Sequence, residues 1–261
     1  MSKGFLWFAQ NNEKTDYVEL SIKLAKSIKK HNRQSQVCVV TDTDSKFDSE
    51  YVDIVKVLKQ DDSAGHDVKW ANEHKAFSVT PFTHTIKLEA DMVWTTNTDW
   101  WWYHLWQHDM VFSVDCFDYR DNVVKDHTYR KLFVRNNLPN IYNGLIYFRK
   151  STFAKTFFDT AKIITDNWQT VRSEILINCH DEHPSTDVVF ALAYRLLDPT
   201  QQHLVNYDWF KFIHNKNAIH GLSRIRNHND YLLTHNNHEK IYIGEKRVSR
   251  VFHYHDKELD V

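Results

Sequence analysis

Residues 4–12 read GFLWFAQNN, a short apolar run of strand length that ends in polar side chains. Residues 17–28 then place apolar or small side chains at three- and four-residue spacing, the pattern of an amphipathic helix with Thr15 as its expected N-cap. Residues 36–42, QVCVVTD, form a second β-branched run. Strand, helix and strand in this order predict a parallel sheet whose ligands bind outside the carboxyl ends of its strands.

The rest of the chain extends this sheet and adds helices. Further strands are expected at residues 51–58, 85–88, 111–114, 141–148 and 241–243, and helices near 98–106, after Ser151 and from Ser185 or Thr186. Gly144 interrupts its strand, which indicates a bulge or a close approach of the backbone to a ligand. No internal repeat or low-complexity linker divides the sequence. We therefore expect one mixed α/β domain, with an otherwise irregular segment over the last 60 residues.

The composition excludes several classes of protein. The 261 residues include 33 Lys and Arg against 34 Asp and Glu, a net charge of −1, so any contact with DNA must be local. Only 5 Gly and 4 Pro occur, which excludes a collagenous or disordered chain. The 3 cysteines are far apart in sequence and indicate neither a disulfide framework nor a zinc ribbon. Such cysteines suit a reducing cytoplasm, and no apolar run is long enough to span a membrane, so we expect a cytoplasmic protein.

Glu89-Ala90-Asp91 directly follows the apolar strand at 85–88. Two carboxylates with one residue between them at a strand end can share a hard divalent cation, Mg²⁺ or Mn²⁺, which bridges a diphosphate and neutralises its charge. The alternative is a solvated strand end without a ligand.

Residues 252–257, FHYHDK, offer two more ligands near the end of the chain. His253 and His255 are two residues apart on an extended segment and point to opposite faces, so only one of them meets a given site. Lys257 is placed to hold a phosphate. The alternative is a His-rich segment without a role.

Two further positions suit a sugar. The amide of Asn143, beside Gly144, can donate to and accept from hydroxyl groups, although a simple turn explains the pair equally well. Asp187, at a helix start, is a candidate general base or hydroxyl acceptor, or else a carboxylate that satisfies helix N–H groups.

Aromatic and basic clusters complete the candidates. Trp100, Trp101 and Trp102 can stack on sugars or bases, but consecutive helical residues point about 100° apart, so most of the run should belong to the core. The basic residues of the C-terminal region suit either phosphate contacts or a solvated face: Arg224, Arg226, Lys246, Arg247 and Arg250.

Six segments together suggest a family. FLWFAQNN, VCVVTD, KAFSVTPF with THTIKLEADMVW, NGLIYFRKS, STDVVFALA and FHYHDK occur in an order that resembles GT-A-fold glycosyltransferases, especially those of tailed bacteriophages. The resemblance extends from Gly4 to Lys257. It implies a single GT-A-like α/β domain over residues 1–261, a Rossmann-like mixed sheet flanked by helices. Residues 1–95 would form the nucleotide-binding half and residues 96–261 the half for sugar and acceptor.

The resemblance also assigns roles to individual residues. It implies contacts with a nucleotide-sugar donor, a UDP-sugar, through Ala9, Gln10, Asp42, Lys75, Asn143, Gly144 and Lys257. Glu89 and Asp91 correspond to the family's D-x-D metal motif, with Glu in place of the usual first Asp, and either His253 or His255 to its late metal ligand. Asp187 corresponds to the acidic position near donor sugar and acceptor and is our candidate catalytic residue.

The resemblance to phage enzymes implies an acceptor as well. Hydroxymethylated cytosine in phage DNA is the leading candidate, flipped out beside Trp101 or Trp102. Transfer to a lipopolysaccharide or another glycan is the rival reaction. The alternatives outside catalysis are a nucleotide-binding module without activity and a plain interaction protein.

Overall fold

The central sheet has six strands in the computed structural model, which describes residues 2–65, 69–216, 219, 234–237 and 240–254. The strands are β1 (Lys3–Phe8), β2 (Gln36–Thr41), β3 (Ile54–Val57), β4 (His84–Leu88), β5 (Met92–Val93), β6 (Met110–Val114), β7 (Ile141–Arg149), β8 (Ile213–Asn215), β9 (Thr234–Asn237), β10 (Lys240–Ile243), β11 (Lys246–Arg247) and β12 (Phe252–Tyr254). The α-helices are α1 (Tyr17–His31), α2 (Ala76–Val79), α3 (Trp101–Leu105), α4 (Lys131–Arg135), α5 (Thr152–Asp166), α6 (Trp168–Thr170) and α7 (Thr186–Leu197). Tighter turns of helix are the 3₁₀ segments Trp70–Lys75 and Thr128–Arg130, and Val171–Ile175 is π-helical.

The strand order of the central sheet is β3-β2-β1-β4-β7-β6. The four strands β3, β2, β1 and β4 run parallel to one another, whereas β7 is antiparallel to both β4 and β6. The expected mixed α/β sheet flanked by helices is therefore confirmed. Two three-stranded sheets, β11-β10-β9 and β5-β12-β8, stand beside it. The C-terminal region is thus more regular than the sequence pattern predicts.

The sheet is buried on both faces. Successive side chains of a strand point to opposite faces, so the apolar run of β1 supplies both layers. Leu6 and Phe8 pack in a core cluster with α5 and α7, and Phe5 and Trp7 pack in a second cluster with α1. The carboxyl ends of β1 and β4 lie at the same edge of the sheet, because these two strands pair in parallel.

Local caps explain where two helices begin. Asp16, not Thr15, is the N-cap of α1, because its side chain accepts the Glu19 backbone N–H at 3.0 Å. Asn12 closes a turn just before it by accepting from the backbone N–H of Thr15 at 2.9 Å, which moves the helix start one residue along. The expected cap of α5 is confirmed, since Ser151 Oγ accepts from the backbone N–H of Ala154.

Gly144 lies in a bulge, as the sequence predicts. Phe112 of β6 pairs with Ile146 of β7, but the next residue, Ser113, pairs with Tyr142. Residues 143–145 therefore have no register partner on β6, and the bulge brings Asn143 and Gly144 to the edge where β4 ends.

The tryptophan run belongs mainly to the core. Trp101 and Trp102 are 4% and 6% exposed and pack in the second core cluster, so the expected stacking of either ring beside a DNA base is wrong. Trp100 is exposed. All three cysteines are buried as free thiols. Within the described part of the chain, no helix has both the length and the apolar character that a membrane span requires.

Candidate functional site

Three of the expected metal ligands meet at the end of β4. His253 Nε2 lies 3.1 Å from Asp91 Oδ2 and 3.4 Å from Glu89 Oε2. One ligand atom of each residue lies within 4.8 Å of the other two. We call these three residues the acid–histidine cluster.

Strand pairing explains how His253 reaches the two acids. Met92, next to Asp91, starts β5, and its register partner on β12 is His253. The backbone N–H of Tyr254 donates to the carbonyl of Asp91 at 3.2 Å, which fixes the two segments together. His253, one of the two candidate histidines, therefore lies at the site, and His255 and Lys257 lie outside the described residues.

The chemistry of the cluster fits a divalent cation. Two carboxylates and one imidazole are ligands that suit Mn²⁺ and also Mg²⁺. Burial raises the pKa of Glu89; the charge of His253 opposes this, and the charges of Asp91 and Asp187 add to it. A cation held by the cluster would relieve the repulsion between its carboxylates. The His253 ring stacks on His214 with 4.7 Å between ring centroids, which holds the imidazole in place.

A first cleft of about 240 Å³ opens between the cluster and the end of β1. The following residues line it: Phe8, Gln10, Asn12, Tyr17, Lys69, Trp70, Glu73, Glu89, Ala90, Asp91 and His253. Ala9 is buried beside it and donates its backbone N–H to Val40 at 2.8 Å. The cleft thus combines the predicted nucleotide edge with the acid–histidine cluster.

Gln10 is the centre of a polar network at this cleft. Its Nε2 donates to Asp61 at 2.8 Å and to Asp42 at 3.3 Å, and its Oε1 accepts from Asn72 at 3.0 Å. Burial alone would raise the pKa of Asp42, but hydrogen bonds from Ser45, Gln10 and the Asp44 backbone lower it. The structure therefore brings Gln10 and Asp42 together and adds Asp61 and Asn72, which sequence patterns gave no reason to choose.

Lys75 lies outside the described lining of the first cleft. Its Nζ contacts Asp62 at 2.9 Å and donates to the carbonyl of Gln60 at 2.6 Å, so it fixes the segment after β3. Lys69, which precedes the 3₁₀ helix that carries Lys75, is the lysine in the described lining of this cleft. The resemblance to the family identified the helix but not the basic residue that faces the cleft.

A buried ion pair connects the cluster to β7. Lys87 Nζ lies 2.5 Å from Glu73 Oε2 and donates to Asn143 Oδ1 at 2.8 Å. Asn143 in turn donates from Nδ2 to Glu89 Oε1 at 3.2 Å. Burial raises the pKa of Glu73, and the charge of Lys87 opposes this. In the sequence, the feature that could have indicated this network is the position of Lys87 within an otherwise apolar strand.

A second cleft of about 620 Å³ opens on the other side of the cluster. Its lining consists of Trp70, Glu89, Tyr142, Gly144, Asp181, Glu182, His183, Ser185, Thr186, Asp187, Phe212, His214, Lys216 and His253. A Cβ at Gly144 would lie 3.0 Å from Glu89 Oε2, so glycine leaves the space that this carboxylate occupies. Trp70, Glu89 and His253 belong to both clefts, which therefore meet at the acid–histidine cluster.

Asp187 is held in a fixed orientation at the second cleft. Its Oδ2 accepts from Arg130 at 2.9 Å, and its Oδ1 accepts from the backbone N–H of Asn143 at 2.7 Å. The Arg130 guanidinium lies over the Tyr142 ring, 4.2 Å from its centroid. These contacts keep the carboxylate beside the bulge of β7.

The predicted basic patch is only partly described. Lys246 and Arg250 both form ion pairs with Asp121, each at 3.3 Å. Arg224 and Arg226 lie outside the described residues. In the described part, these two cations are therefore partnered within the protein.

Among solved structures, several glycosyltransferases match this chain along most of its length. Mouse xyloside xylosyltransferase 1 in its apo form matches 100% of both chains, with a TM-score of 0.53 and 10% identity. The galactosyltransferase LgtC in complex with donor and acceptor sugar analogues matches 97% of this chain and 87% of its own, with a TM-score of 0.54 and 11% identity. An active-site mutant of LgtC has a TM-score of 0.55, with 11% identity and the same coverage.

No protein-family model matches the sequence, and no curated protein matches it either. The similarity therefore lies in the fold, not in the sequence. The chain has the fold of GT-A glycosyltransferases.

Proposed function

We propose that this protein transfers a sugar from a nucleotide-sugar, a UDP-sugar, to an acceptor hydroxyl. The observation that supports the proposal most is the acid–histidine cluster, which lies where the two clefts meet. A nucleotide in the first cleft and an acceptor in the second would place the sugar between them, beside Gly144 and Asp187.

Different residues would bind the nucleoside, the cation and the diphosphate. Gln10 and Asp42 would bind the nucleoside at the end of β1 and β2. Glu89, Asp91 and His253 would hold Mn²⁺ or Mg²⁺, whose charge offsets that of the leaving diphosphate. Lys257 and His255 remain candidates for the diphosphate and the metal.

The transfer breaks the bond between the anomeric carbon and a diphosphate oxygen. A bond forms between that carbon and the acceptor oxygen, and the acceptor proton leaves with a base. Asp187 is our candidate for that base if the reaction inverts the anomeric centre. Its contacts with Arg130 and with Asn143 would orient the free lone pairs of the carboxylate toward the second cleft.

The acceptor is a separate part of the proposal. A glycan and the hydroxymethylated cytosine of phage DNA are the two classes that the sequence suggests. We also propose a cytoplasmic location, because buried free cysteines suit a reducing compartment.

Thermal unfolding with nucleotides tests donor binding. UDP, GDP and CMP would each be added with Mn²⁺ and, separately, with EDTA. A ligand at about 100 times its dissociation constant stabilises a protein by about 2.7 kcal/mol, or roughly 5–10 °C at this size. We expect a shift with UDP that requires Mn²⁺. A shift that EDTA leaves unchanged would contradict the metal site, and no shift with any nucleotide would contradict the function.

A further inference from the structure

Trp70 lies at the boundary between the two clefts. It begins the 3₁₀ helix Trp70–Lys75 and lines both the first and the second cleft. Its indole Nε1 donates to the carbonyl of Pro184 at 2.8 Å, across a sequence separation of 114 residues. The residue is nevertheless 46% exposed. An exposed tryptophan whose only polar atom already has a partner presents apolar ring surface to whatever enters the clefts.

We propose that Trp70 is the platform on which a sugar ring of the acceptor stacks, and that the second cleft selects an uncharged glycan acceptor. The proposal rests on the proposed function, since it assigns the acceptor of that reaction. Aromatic rings combine a large apolar face with a polar edge, which suits the mixed surface of a sugar. Because the bond to Pro184 already fixes the indole, binding would cost little additional side-chain entropy.

The charges of the second cleft support an uncharged acceptor. Its described lining contains the four carboxylates of Glu89, Asp181, Glu182 and Asp187 against the single ammonium of Lys216. Arg130 neutralises Asp187 in part, and a cation at the acid–histidine cluster would offset Glu89. Asp181 and Glu182 remain at the outer rim, where both residues are exposed.

Carboxylates accept hydrogen bonds from hydroxyl groups but repel phosphate, sulfate and other carboxylates. A neutral oligosaccharide therefore suits this rim, whereas the phosphate backbone of DNA does not. Trp70 is an exposed aromatic ring on which a sugar can stack, whereas the rings of Trp101 and Trp102 are buried in the core.

Steady-state kinetics with three variants would test the role of Trp70. Radiolabelled UDP-sugars would first be screened against a glycan array and hydroxymethylated duplex DNA. The best neutral acceptor would then be used with Trp70→Phe, Trp70→Ala and Trp100→Ala. Trp100 is a matched control, since it is 47% exposed and lies outside the described lining of both clefts.

We expect Trp70→Ala to raise the acceptor KM by about 3- to 10-fold. Because Trp70 also lines the first cleft, the donor KM and the slow hydrolysis of donor without acceptor should change as well, but by less than the acceptor KM. Trp70→Phe should lie between Trp70→Ala and wild type, because it keeps a ring but loses the bond to Pro184. An unchanged acceptor KM in Trp70→Ala, or an equal rise in donor KM, would overturn the stacking role.

A charge variant tests the selection against anions. Asp181→Asn with Glu182→Gln should lower the KM for a sialylated acceptor relative to the KM for its neutral parent. A wild-type preference for DNA or for sialylated glycans would overturn the proposal, as would donor hydrolysis without transfer to any neutral glycan. If UDP-sugars are neither bound nor hydrolysed, the proposed function itself fails, and this outcome is distinct from the others.

Discussion

The ammonium of Lys87 lies 2.5 Å from a carboxylate oxygen of Glu73, and both residues are buried, Lys87 completely. Lys87 is two residues before Glu89 on the strand that leads to the acid–histidine cluster. Lys87 also donates to the side chain of Asn143, and the amide nitrogen of Asn143 donates to Glu89. The ion pair therefore contributes to the stability of the sheet, and it also helps to hold Asn143 and Glu89 in position at the site.

Lys87→Met should destabilise the protein by about 3–5 kcal/mol, because Glu73 would remain buried without its partner. Urea unfolding measures this change. The double variant Lys87→Met with Glu73→Gln should recover most of the loss. Lys155→Met is the matched control, since its exposed pair with Asp159 at 2.6 Å should contribute less than about 0.5 kcal/mol. Equal losses in the buried and exposed variants would contradict this account.

Gly144→Ala should weaken cation binding while the protein stays folded. The added Cβ would lie 3.0 Å from Glu89 Oε2 and 3.5 Å from Phe212, so the carboxylate must shift by a few tenths of an ångström from its place in the cluster. We expect the Mn²⁺ dissociation constant, measured by electron paramagnetic resonance, to rise by about 10-fold or more.

Gly4→Ala provides the contrast, because its Cβ would overlap the Phe82 ring far from the cluster. This variant should lower the unfolding midpoint and leave Mn²⁺ affinity of the folded protein unchanged. Wild-type Mn²⁺ affinity in folded Gly144→Ala would show that Glu89 is not a ligand.

Asp91→Ala should reduce donor turnover by at least about 100-fold, because it removes a carboxylate from the cation site. Release of UDP from the UDP-sugar measures turnover. Asp159→Asn, on the exposed face of α5, should retain wild-type activity. If turnover survives Asp91→Ala, the catalytic assignment is wrong. The protein would then be better described as a nucleotide-binding module.

Asp187→Asn separates proton transfer from binding. The amide keeps the shape of the carboxylate but cannot act as a base. We expect kcat to fall by about 10²- to 10⁴-fold with little change in the donor KM. Because Arg130 loses its charged partner, urea unfolding must confirm that the variant is folded. A kcat within about threefold of wild type would rule out Asp187 as the base.

Stability should fall in acid because of the polar network around Gln10. Burial would raise the pKa of Asp61, but hydrogen bonds from Ser63, Asn72 and Gln10 lower it. A carboxyl group whose pKa is lower in the folded state than in the unfolded state stabilises the fold at any pH above its unfolded-state pKa of about 3.9. This stabilisation is lost as the pH falls through the folded-state pKa. Urea midpoints measured between about pH 6 and pH 3 should therefore fall more steeply in wild type than in Asp61→Asn. Parallel slopes would contradict the pKa direction.

Local sequence patterns were sufficient for much of the architecture. The apolar run of β1, the helical spacing of α1 and the β-branched run of β2 predict the parallel part of the sheet, and all three elements occur where expected. Glu89 and Asp91 were identified because they follow a buried strand. These signals depend on residues close together in the chain, which is where the periods of strands and helices are visible.

Contacts between distant segments required the tertiary structure. The pairing of β12 with β5 is what places His253 beside Asp91. The pairing of Lys87 with Glu73, the network around Gln10 and the position of Trp70 between two clefts likewise join residues from separate elements. No periodic pattern encodes such contacts, because they depend on strand register and on how helices pack against the sheet. The sequence by itself determined the fold class and the position of the acidic motif, and the tertiary packing decided which side chains surround it.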